Sequence, residues 1–427
     1  GWAETSDVTA LDLARRFDLR VLVAELEATP FEYQFAILDQ SEPNAFAAPG
    51  GFIFVSRGLL ALAGSVDEVA GVVAHEIVHV EERHSIKQLR RASLPRLLQV
   101  PGRIVGLVAK DIGNLINSPL AGLDALRSAR YGRSQEREAD ELGSALAARA
   151  GYRPGALGDL LTTMERFIDS VSEESSGPSF FDSHPPTPER VDDVRARAAS
   201  LPVGPRPATA VEDQAFLASL DGLVFGDNPA RGVFEGSTFS HPDLGVALDF
   251  PEGWETFSTA TAAGAVAREG DALVLYGLAE LGGGAALLGA LAEERRTQMR
   301  EEASLAPLED ESLDLEGLPG RLQIYDADEE HRLFFVWVDL GGSVHQLLGV
   351  ARPSDRDVLR ASVGSLRLLS EVERRGFAAL RLRIVAREGN VLPPEVLAGL
   401  NGVALDEPLP SPRVIKVVRR EPYSASP

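Results

Sequence analysis

The helical stretch that begins at Ser65 constrains the fold of this chain more than any other feature, because it combines a regular apolar stripe with two histidines. Ser65-Val66-Asp67-Glu68 has the form of a capping box that begins a helix. The apolar residues that follow at helical spacing are Val69, Val72, Val73, Ile77 and Val80. This pattern predicts a helix that is buried against a core.

The motif His75-Glu76-Ile77-Val78-His79 lies within this helix. Residues four apart lie on one helix face, one turn from each other, so His75 and His79 can share a metal ion. Glu76 cannot easily be a third ligand to the same ion, but it can reach a water on the metal, an arrangement typical of a zinc hydrolase. An unpaired histidine pair inside a buried helix would be costly, which favours a metal site over two incidental histidines.

A second predicted helix carries Glu136 and Asp140, which are again four residues apart. The residues that would pack this helix are Ala139, Leu142, Ala145 and Leu146. Glu136 would complete a His, His, Glu ligand set whose fourth position is open to water, and Asp140 would accept a hydrogen bond from a ligand histidine. From the spacing alone, however, a charged helix face explains Glu136, Glu138 and Glu141 better.

Five sequence blocks between about residues 30 and 200 follow the order of a known family. These blocks are residues 44–51, 57–60, 65–85, 132–140 and 184–190. Through them the chain resembles the M48 family of zinc metallopeptidases, in its soluble bacterial branch. The resemblance implies one Zn²⁺ per chain, held by His75, His79 and Glu136. It also implies that Glu76 activates the water on the zinc and that Glu138 is not the third ligand.

The block His184-Pro185-Pro186-Thr187-Pro188-Glu189-Arg190 allows two interpretations. From the residues alone, a histidine before two prolines predicts an exposed turn. The family resemblance implies instead that His184 lies beside the zinc, where it either stabilises the oxyanion or becomes a fourth ligand that shuts the site. Arg190 would help hold the ligand helices. His84, one turn beyond the ligands, is interpreted as a packed histidine near them.

A substrate-binding edge is expected before the metal helix. Residues 35–39 and 51–55 are predicted strands, and Pro49-Gly50-Gly51 between them permits an irregular edge. In the family, an edge strand above the zinc pairs with the peptide backbone, a binding mode that demands no particular sequence. The resemblance therefore implies that Asn44 and Ala45 form this edge. A simple hairpin loop is the alternative.

Composition limits the other functions that the chain could have. The net charge of −22 and the pI near 4.8 argue against nucleic-acid binding and against a polybasic membrane patch. The absence of cysteine excludes disulfides and thiolate metal sites. No run of 18 apolar residues occurs, so no transmembrane segment is predicted. Residues 97–123 come closest, and they are interpreted as a buried helical hairpin or, alternatively, as a lid or a membrane-touching surface.

No signal peptide is visible, and the chain begins at Gly1-Trp2 without methionine, as a processed chain would. Soluble members of the resembled family are usually exported to the periplasm, some as lipoproteins. We therefore expect a periplasmic or otherwise extracytoplasmic location.

The predicted fold class is α+β. A mainly helical, gluzincin-type metallopeptidase domain with a small sheet is expected over residues 1–200, followed by a linker over residues 201–238. Strand-like runs and two helical patterns predict an α+β accessory domain over residues 239–370. Its Phe250-Pro251-Glu252-Gly253-Trp254 segment resembles the PsbP and Mog1 type of sandwich, and its histidines are interpreted as structural.

Residues 376–423 resemble a degenerate LysM module, because the stretch from Val396 to Gly402 resembles the helix that ends in Leu-Asn-Gly in such modules. Pro393-Pro394 stands where a full module has a longer first helix, which leaves glycan binding open. The resemblance implies that the C-terminal modules localise the protein near peptidoglycan or envelope proteins.

The favoured function is a zinc endopeptidase that cuts misfolded or unassembled cell-envelope proteins, with unfolded polypeptides as its partners. The alternative is an envelope assembly factor or chaperone whose zinc site is latent and capped by His184. Glu76 favours the endopeptidase, because a pure binding protein has no physical need for it. The large non-catalytic half of the chain favours the assembly factor in part.

Overall fold

The computed structural model describes residues 2–4, 20–26, 29–84, 131–171, 180–185, 188–208, 210–258, 262–268, 271–385, 390–403, 405 and 415–423. The predicted hairpin or lid at residues 97–123 lies outside these ranges. In chain order the helices are α1 (Arg20–Ala24), α2 (Arg57–Leu62), α3 (Val66–Glu81), α4 (Arg133–Arg149), α5 (Ala156–Ser170), α6 (Phe180–Ser183), α7 (Pro188–Ala198), α8 (Asp213–Ser219), α9 (Ala285–Ala303), α10 (Arg356–Ser365), α11 (Glu371–Gly376) and α12 (Pro394–Leu400).

The strands form four sheets. In chain order they are β1 (Trp2–Glu4), β2 (Gln34–Leu38), β3 (Ala45–Ala48), β4 (Phe52–Ser56), β5 (Val224–Phe225), β6 (Val233–Glu235), β7 (Thr238–His241), β8 (Val246–Asp249), β9 (Glu255–Ser258), β10 (Ala262–Val266), β11 (Leu273–Leu281), β12 (Glu309–Leu315), β13 (Leu318–Asp326), β14 (Arg332–Asp339), β15 (Ser343–Ala351), β16 (Arg367–Leu368), β17 (Ala378–Val385) and β18 (Ile415–Pro422).

The chain divides into two compact units. Of the described residues, unit 1 comprises those within 1–92, 122–228 and 378–422, and unit 2 comprises those within 229–377 together with residue 423. Both units mix helices and sheets, which agrees with the predicted α+β class.

The predicted linker at residues 201–238 needs correction, because its described part contains α8 and strands β5 to β7. Phe216, Leu220 and Leu223 are each fully buried in the core of unit 1. Apolar side chains are removed from water when they pack, so the part of the segment up to residue 228 folds with unit 1 and does not act as a flexible connection. The part from residue 229 onward, with β6 and β7, belongs to unit 2.

The first sheet of unit 1 has the strand order β1-β2-β4-β3. Strand β2 pairs in parallel with β1 and β4, and β3 pairs antiparallel with β4. The two strands predicted before the metal helix are thus β2 and β4. The segment between them contains β3, which is an edge strand of this sheet, with Asn44 directly before it.

Helix α3 lies at the centre of unit 1. The Ser65 hydroxyl accepts a hydrogen bond from the Glu68 backbone at 3.3 Å, which is one half of the predicted capping box. The Glu68 carboxylate accepts from the backbone N–H of Gly64 at 2.7 Å, one residue before the expected donor. Every residue of the helix from Val66 to Val80 is buried, so the predicted apolar stripe faces a core on several sides. Helix α4 approaches α3 closely at Gly143, where a Cβ atom would lie 3.0 Å from the backbone of His75.

The prediction that Leu142 packs helix α4 is wrong, because its side chain is 42 % exposed. The face that contacts α3 is centred on Gly143, with Ala139, Leu146 and Ala147 also buried. Adjacent helical residues point about 100° apart, so a contact at Gly143 turns Leu142 toward solvent. The small residues of this face allow the two backbones to approach each other.

Residues 378–422 also belong to unit 1. Strand β17 pairs with both β18 and β5, and α12 packs on α5 at Gly399, where a Cβ would lie 3.0 Å from the Phe167 Cα. The Lys416 ammonium is buried and donates hydrogen bonds to the carbonyls of Leu62 at 2.5 Å and Leu400 at 3.3 Å. This segment therefore completes the core around the metal helix, and its likeness to a LysM module stays a prediction.

Unit 2 is layered. Its seven-stranded antiparallel sheet has the order β12-β13-β14-β15-β11-β10-β9, and its four-stranded sheet has the order β16-β8-β7-β6. One face of the larger sheet packs against α9, and the other packs against the smaller sheet and α10. The buried His345 contacts the Tyr276 hydroxyl at 2.8 Å and the Ser343 hydroxyl at 3.0 Å, in keeping with a structural histidine.

Candidate metal centre

Four side chains from three parts of unit 1 converge on one point. His75 and His79 come from α3, Glu136 comes from the first turn of α4, and His184 comes from the loop between α6 and α7. All four are buried, and one ligand atom from each lies within 4.8 Å of the others. Within the described ranges, this is the one group of three or more His, Asp or Glu side chains that could hold a metal ion.

The distances between these ligand atoms fit a tetrahedral ion. The His75 Nε2 atom lies 3.0 Å from His79 Nε2 and 3.2 Å from His184 Nδ1. The Glu136 Oε1 atom lies 3.0 Å from His184 Nδ1 and 3.4 Å from His79 Nε2. A tetrahedral zinc site with bonds of about 2.0–2.1 Å has ligand-to-ligand edges of about 3.3–3.4 Å. Nitrogen and carboxylate donors at these spacings therefore suit zinc.

Glu76 is fully buried beside this group, but it is not one of the converging donors. Its Oε1 atom lies 3.3 Å from His184 Nε2. Among the described residues, neither of its carboxylate oxygens makes a hydrogen bond. Burial raises the pKa of Glu76, and the nearby positive charges only partly oppose this. A buried carboxylate without a structural partner is suited to taking up a proton.

Asp140 and Arg190 form an ion pair behind the ligands. The Arg190 guanidinium donates to both oxygens of Asp140, at 2.6 and 2.8 Å, and contacts Glu136 Oε2 at 2.7 Å. Asp140 Oδ1 in turn lies 3.0 Å from His75 Nδ1. Burial would raise the pKa of Asp140, but hydrogen bonds to His75 and Arg190 outweigh it and lower the pKa. The pair thus links α7, α4 and the first ligand histidine.

The charge states of Glu136 and His79 suit metal binding. Burial would raise the pKa of Glu136, but His184, His79 and Arg190 together lower it well below its usual range, so the carboxylate is ionised. Burial lowers the pKa of His79 well below its usual range, which favours the neutral imidazole. A deprotonated carboxylate and a neutral imidazole are the forms that bind metals.

Two aromatic rings beside the ligands were missed at the level of sequence. The Tyr131 ring stacks on His79 with centroids 3.7 Å apart, and the Phe180 ring stacks on His184 at 4.2 Å. Backbone hydrogen bonds fix both rings, since Tyr131 donates to Ser183 at 2.9 Å and Phe180 donates to Pro43 at 2.9 Å. The one local signal was their position, directly before the blocks that supply Glu136 and His184.

The predicted substrate edge lies outside the ligand cluster. The Asn44 backbone accepts a hydrogen bond from the Ser56 backbone at 2.8 Å and donates one to the Ser56 hydroxyl at 2.8 Å. Ala45 is paired with Val55 in the next register position. Because the hydrogen-bonding direction alternates along an antiparallel strand, the backbone polar groups of Ala45 point away from β4. Of the two predicted edge residues, Ala45 is the one with this orientation.

Comparison with known families agrees with this geometry. Residues 10–198 match the family model described as Peptidase family M48. The matched range contains the four converging side chains, Glu76, and the Asp140–Arg190 pair.

Several curated proteins are similar in sequence to part of this chain. The putative beta-barrel assembly-enhancing protease of Vibrio cholerae is 35% identical over 179 residues, which cover 41% of this chain and 36% of the relative. The beta-barrel assembly-enhancing protease of Escherichia coli K12 is 31% identical over 189 residues, 42% of this chain and 37% of the relative. The mitochondrial metalloendopeptidase OMA1 of Saccharomyces cerevisiae is 29% identical over 160 residues, 36% of this chain and 43% of the relative.

The chain thus spans little more than a third of the beta-barrel assembly-enhancing relatives, at 36% and 37% of their lengths. Among solved structures, the solution structure of cyanobacterial PsbP from Synechocystis sp. PCC 6803 matches 32% of this chain and 95% of that chain at 13% identity. Its TM-score of 0.26 supports no inference about the fold. The PsbP and Mog1 resemblance of residues 239–370 therefore stays a prediction.

Proposed function

We propose that this M48 chain is a zinc-dependent endopeptidase that hydrolyses peptide bonds of misfolded or unassembled cell-envelope proteins. The observation that supports this most is the convergence of His75, His79 and Glu136 next to the buried Glu76, whose carboxylate makes no hydrogen bond with the described residues. Two relatives named as beta-barrel assembly-enhancing proteases support the choice of envelope proteins as substrates.

His75, His79 and Glu136 would hold the zinc ion. When bound, zinc supplies Lewis-acid polarisation of the scissile carbonyl and makes water more acidic. Glu76 accepts a proton from the attacking water as the new C–O bond forms, and it then passes that proton to the leaving amine as the C–N bond breaks. The raised pKa of Glu76 suits both steps, because the group must gain and lose a proton near neutral pH.

Asp140 and Arg190 position the ligands. The Asp140 carboxylate lies 3.0 Å from His75 Nδ1 and favours a proton on that nitrogen, which leaves the Nε2 lone pair directed at the other ligand atoms. Arg190 holds Asp140 and Glu136 at once, so it keeps the carboxylate ligand on α4 in register with the histidines on α3. These contacts limit how far the two helices can separate when the site is loaded.

The substrate would bind as an added strand at β3. The backbone polar groups of Ala45 point away from β4 and can pair with an extended peptide. Backbone pairing selects unfolded polypeptides, because a folded protein offers few free extended segments. We place Asn44 at the end of this edge, where its bonds to Ser56 fix the start of the strand.

A second function, a latent assembly factor, is favoured by the position of His184. Its Nδ1 atom faces the ligand group as a fourth donor, and its Nε2 atom faces Glu76. With His184 in this place, no ligand position is open to water. The endopeptidase therefore requires His184 to move aside, and a chain in which it seldom moves would bind clients without cleaving them.

We propose an extracytoplasmic location, supported by the two relatives that are named as beta-barrel assembly-enhancing proteases. No helix in the described part of the chain is both long enough and apolar enough to cross a membrane. Residues 378–422 supply core residues of unit 1, so we assign them a structural role and do not extend the proposal to peptidoglycan.

Proteolysis of casein by the zinc-loaded chain, with Glu76→Gln measured in parallel, tests the proposed function. We expect cleavage by the native chain and a loss of at least about 100-fold in Glu76→Gln, because the amide cannot accept the proton. The variant should keep native zinc affinity, measured by competition with a chelator. Equal turnover by both proteins would remove Glu76 from the mechanism, and no cleavage by either would favour the latent assembly factor.

A further inference from the structure

The far ring nitrogen of His79 faces another imidazole. His79 directs Nε2 toward the ligand group, and its Nδ1 atom lies 3.0 Å from the Nδ1 atom of the buried His84. When two neutral imidazole nitrogens form a hydrogen bond, one must carry the proton and the other must accept it. The contact therefore links the tautomer of His79 to the tautomer of His84.

The tautomer of His84 is set by a third group. Its Nε2 atom lies 3.4 Å from the Glu138 Oε2 atom on the surface of α4. An ionised carboxylate can only accept hydrogen bonds, so it favours the form of His84 with the proton on Nε2. The Nδ1 atom of His84 is then an acceptor, and His79 must donate to it from its own Nδ1.

We propose that His84 and Glu138 are positioning residues that hold His79 in the tautomer required for metal binding. In this tautomer the His79 Nε2 lone pair faces His75 Nε2 and Glu136 Oε1, where the ion would lie. The inference rests on the proposed function for the identity of the metal, but it concerns the hydrogen-bond chain alone.

The two ligand histidines are thus oriented in different ways. Asp140 contacts the far nitrogen of His75 directly, and it is buried and paired with Arg190. For His79 the carboxylate acts through an intervening imidazole, and the Glu138 side chain is 49% exposed. Water competes for an exposed carboxylate, so the Glu138 contribution should be smaller than the His84 contribution.

The first experiment requires neither metal nor activity. Long-range ¹H–¹⁵N NMR of the histidine-labelled, metal-free chain at neutral pH reports which ring nitrogen of His79 carries the proton. We expect the Nδ1–H form in the native chain. In both variants, Glu138→Ala and His84→Leu, we expect His79 to shift toward a mixture of tautomers. Glu138→Ala no longer fixes His84 Nδ1 as the hydrogen-bond acceptor, and His84→Leu removes that acceptor.

The second experiment measures zinc affinity by competition with a chelator. Removing a partner that orients a metal ligand typically costs about 10- to 100-fold in affinity, and we expect His84→Leu to lie in this range. Glu138→Ala should weaken zinc binding in the same direction by a smaller factor. The control is Glu141→Ala on the same helix, whose side chain is 61% exposed and pairs with Arg197 at 3.1 Å, and which should leave the affinity unchanged.

The Nε2–H tautomer of His79 in the native chain would overturn the proposal. Glu138→Ala with the zinc affinity of Glu141→Ala would also overturn it, and this outcome can be measured even if His84→Leu does not fold. Native tautomers and tight zinc binding without proteolysis would contradict the proposed endopeptidase and leave the positioning roles of His84 and Glu138 intact.

Discussion

Two carboxylates near the ligand histidines differ in their contacts, and this difference separates their roles. Asp140 is held by the Nε and Nη2 atoms of Arg190 and by His75, and these contacts lower its pKa. Glu76 makes no hydrogen bond within the described structure, and burial raises its pKa. When the pKa values of two carboxyl groups in one site are shifted in opposite directions, one group stays charged and the other can exchange a proton. In the proposed mechanism, Asp140 stays ionised and orients a ligand, and Glu76 carries the proton.

Replacing His184 by alanine should increase proteolysis. The imidazole supplies the fourth donor of the cluster and contacts Glu76, so its removal opens a ligand position to water and releases the base. We expect a gain of about 10-fold or more in casein cleavage, on the premise that moving His184 aside costs at least 1.4 kcal/mol. The measurement is kcat/KM of zinc-loaded His184→Ala against the native chain.

The control for this experiment is the double variant His184→Ala with Glu76→Gln. The gained activity must vanish in it, since an opened site without its base cannot turn over. A loss of activity in His184→Ala alone would contradict the capping role and would assign His184 to oxyanion stabilisation.

The sequence predicted most of the site residues, but not their surroundings. His75, Glu76 and His79 follow from local spacing, and Glu136 required the family resemblance, because a charged helix face has the same spacing. The residues alone predicted an exposed turn for His184, which is fully buried. Its burial depends on the Phe180 ring and on the hydrogen bond from Tyr131 to the preceding residue, and no local pattern encodes such tertiary contacts.

At the scale of elements, the contact between α3 and α4 sets the distance between the histidine ligands and Glu136. Gly143 allows this contact, because a Cβ there would lie 3.0 Å from the Cα and the backbone nitrogen of His75. Gly143→Ala should therefore push the helices apart and weaken zinc binding. The overpacked Cβ should lower folding stability by about 1–3 kcal/mol. The higher helix propensity of alanine offsets about 1 kcal/mol of this loss. Thermal unfolding and chelator competition measure the two effects.

Gly289→Ala is the matched control for Gly143→Ala. It lies inside α9, where an added Cβ would meet nothing within 4 Å. We expect it to raise stability by up to about 1 kcal/mol and to leave zinc affinity unchanged. A Gly143→Ala variant that behaved like Gly289→Ala would show that the close contact at His75 does not position the ligands.

The elements that the sequence predicted are those with a regular apolar pattern. Helix α3 begins directly after the predicted cap Ser65. Strands β13 to β15 lie close to the strand-like runs at residues 320–326, 332–339 and 343–350, and helices α9 and α10 lie close to the helical patterns near residues 284–302 and 354–367. Strand β12, with the sequence Glu-Asp-Glu-Ser-Leu-Asp-Leu, was missed because its first half is acidic. Its Glu309 pairs with Arg356 and Arg360 from α10, and its Asp310 pairs with Arg321. These long-range ion pairs neutralise the strand and are invisible to a local pattern.

At the scale of the whole molecule, sequence analysis divides the chain into consecutive domains, whereas unit 1 is assembled from separated segments. Composition shifts mark where segments change character, but they do not show which distant segment each one packs against. In unit 1 the buried Lys416 of β18 binds the last carbonyls of α2 and α12, and burial lowers its pKa to about 8. The carbonyl groups at the two helix C-termini and the nearby Glu68 offset part of the free-energy cost of burying the Lys416 ammonium group.

The C-terminal segment should therefore be part of the folding unit that holds the metal. Leu382 of β17 is fully buried in the same hydrophobic cluster as Val72 and Val73 of the metal helix. Leu382→Ala should cost about 2–5 kcal/mol of stability, because it leaves a cavity in that core. Zinc binds only the folded site, so it should raise the melting temperature of the transition that includes the site. We expect Leu382→Ala to lower the melting temperature of this zinc-dependent transition, measured by calorimetry with and without zinc.

The matched variant is Leu275→Ala, which removes an equally buried leucine from the core between the seven-stranded sheet and α9 in unit 2. Leu275→Ala should lower the free energy of unfolding by a similar amount. It should, however, affect an unfolding transition whose melting temperature does not change with zinc. If Leu382→Ala instead left the zinc-dependent transition unchanged, residues 378–422 would fold as a module of their own, as the LysM resemblance implies. If both variants lowered one common transition, the two units would unfold together, and the stability of the metal centre would then depend on the entire chain.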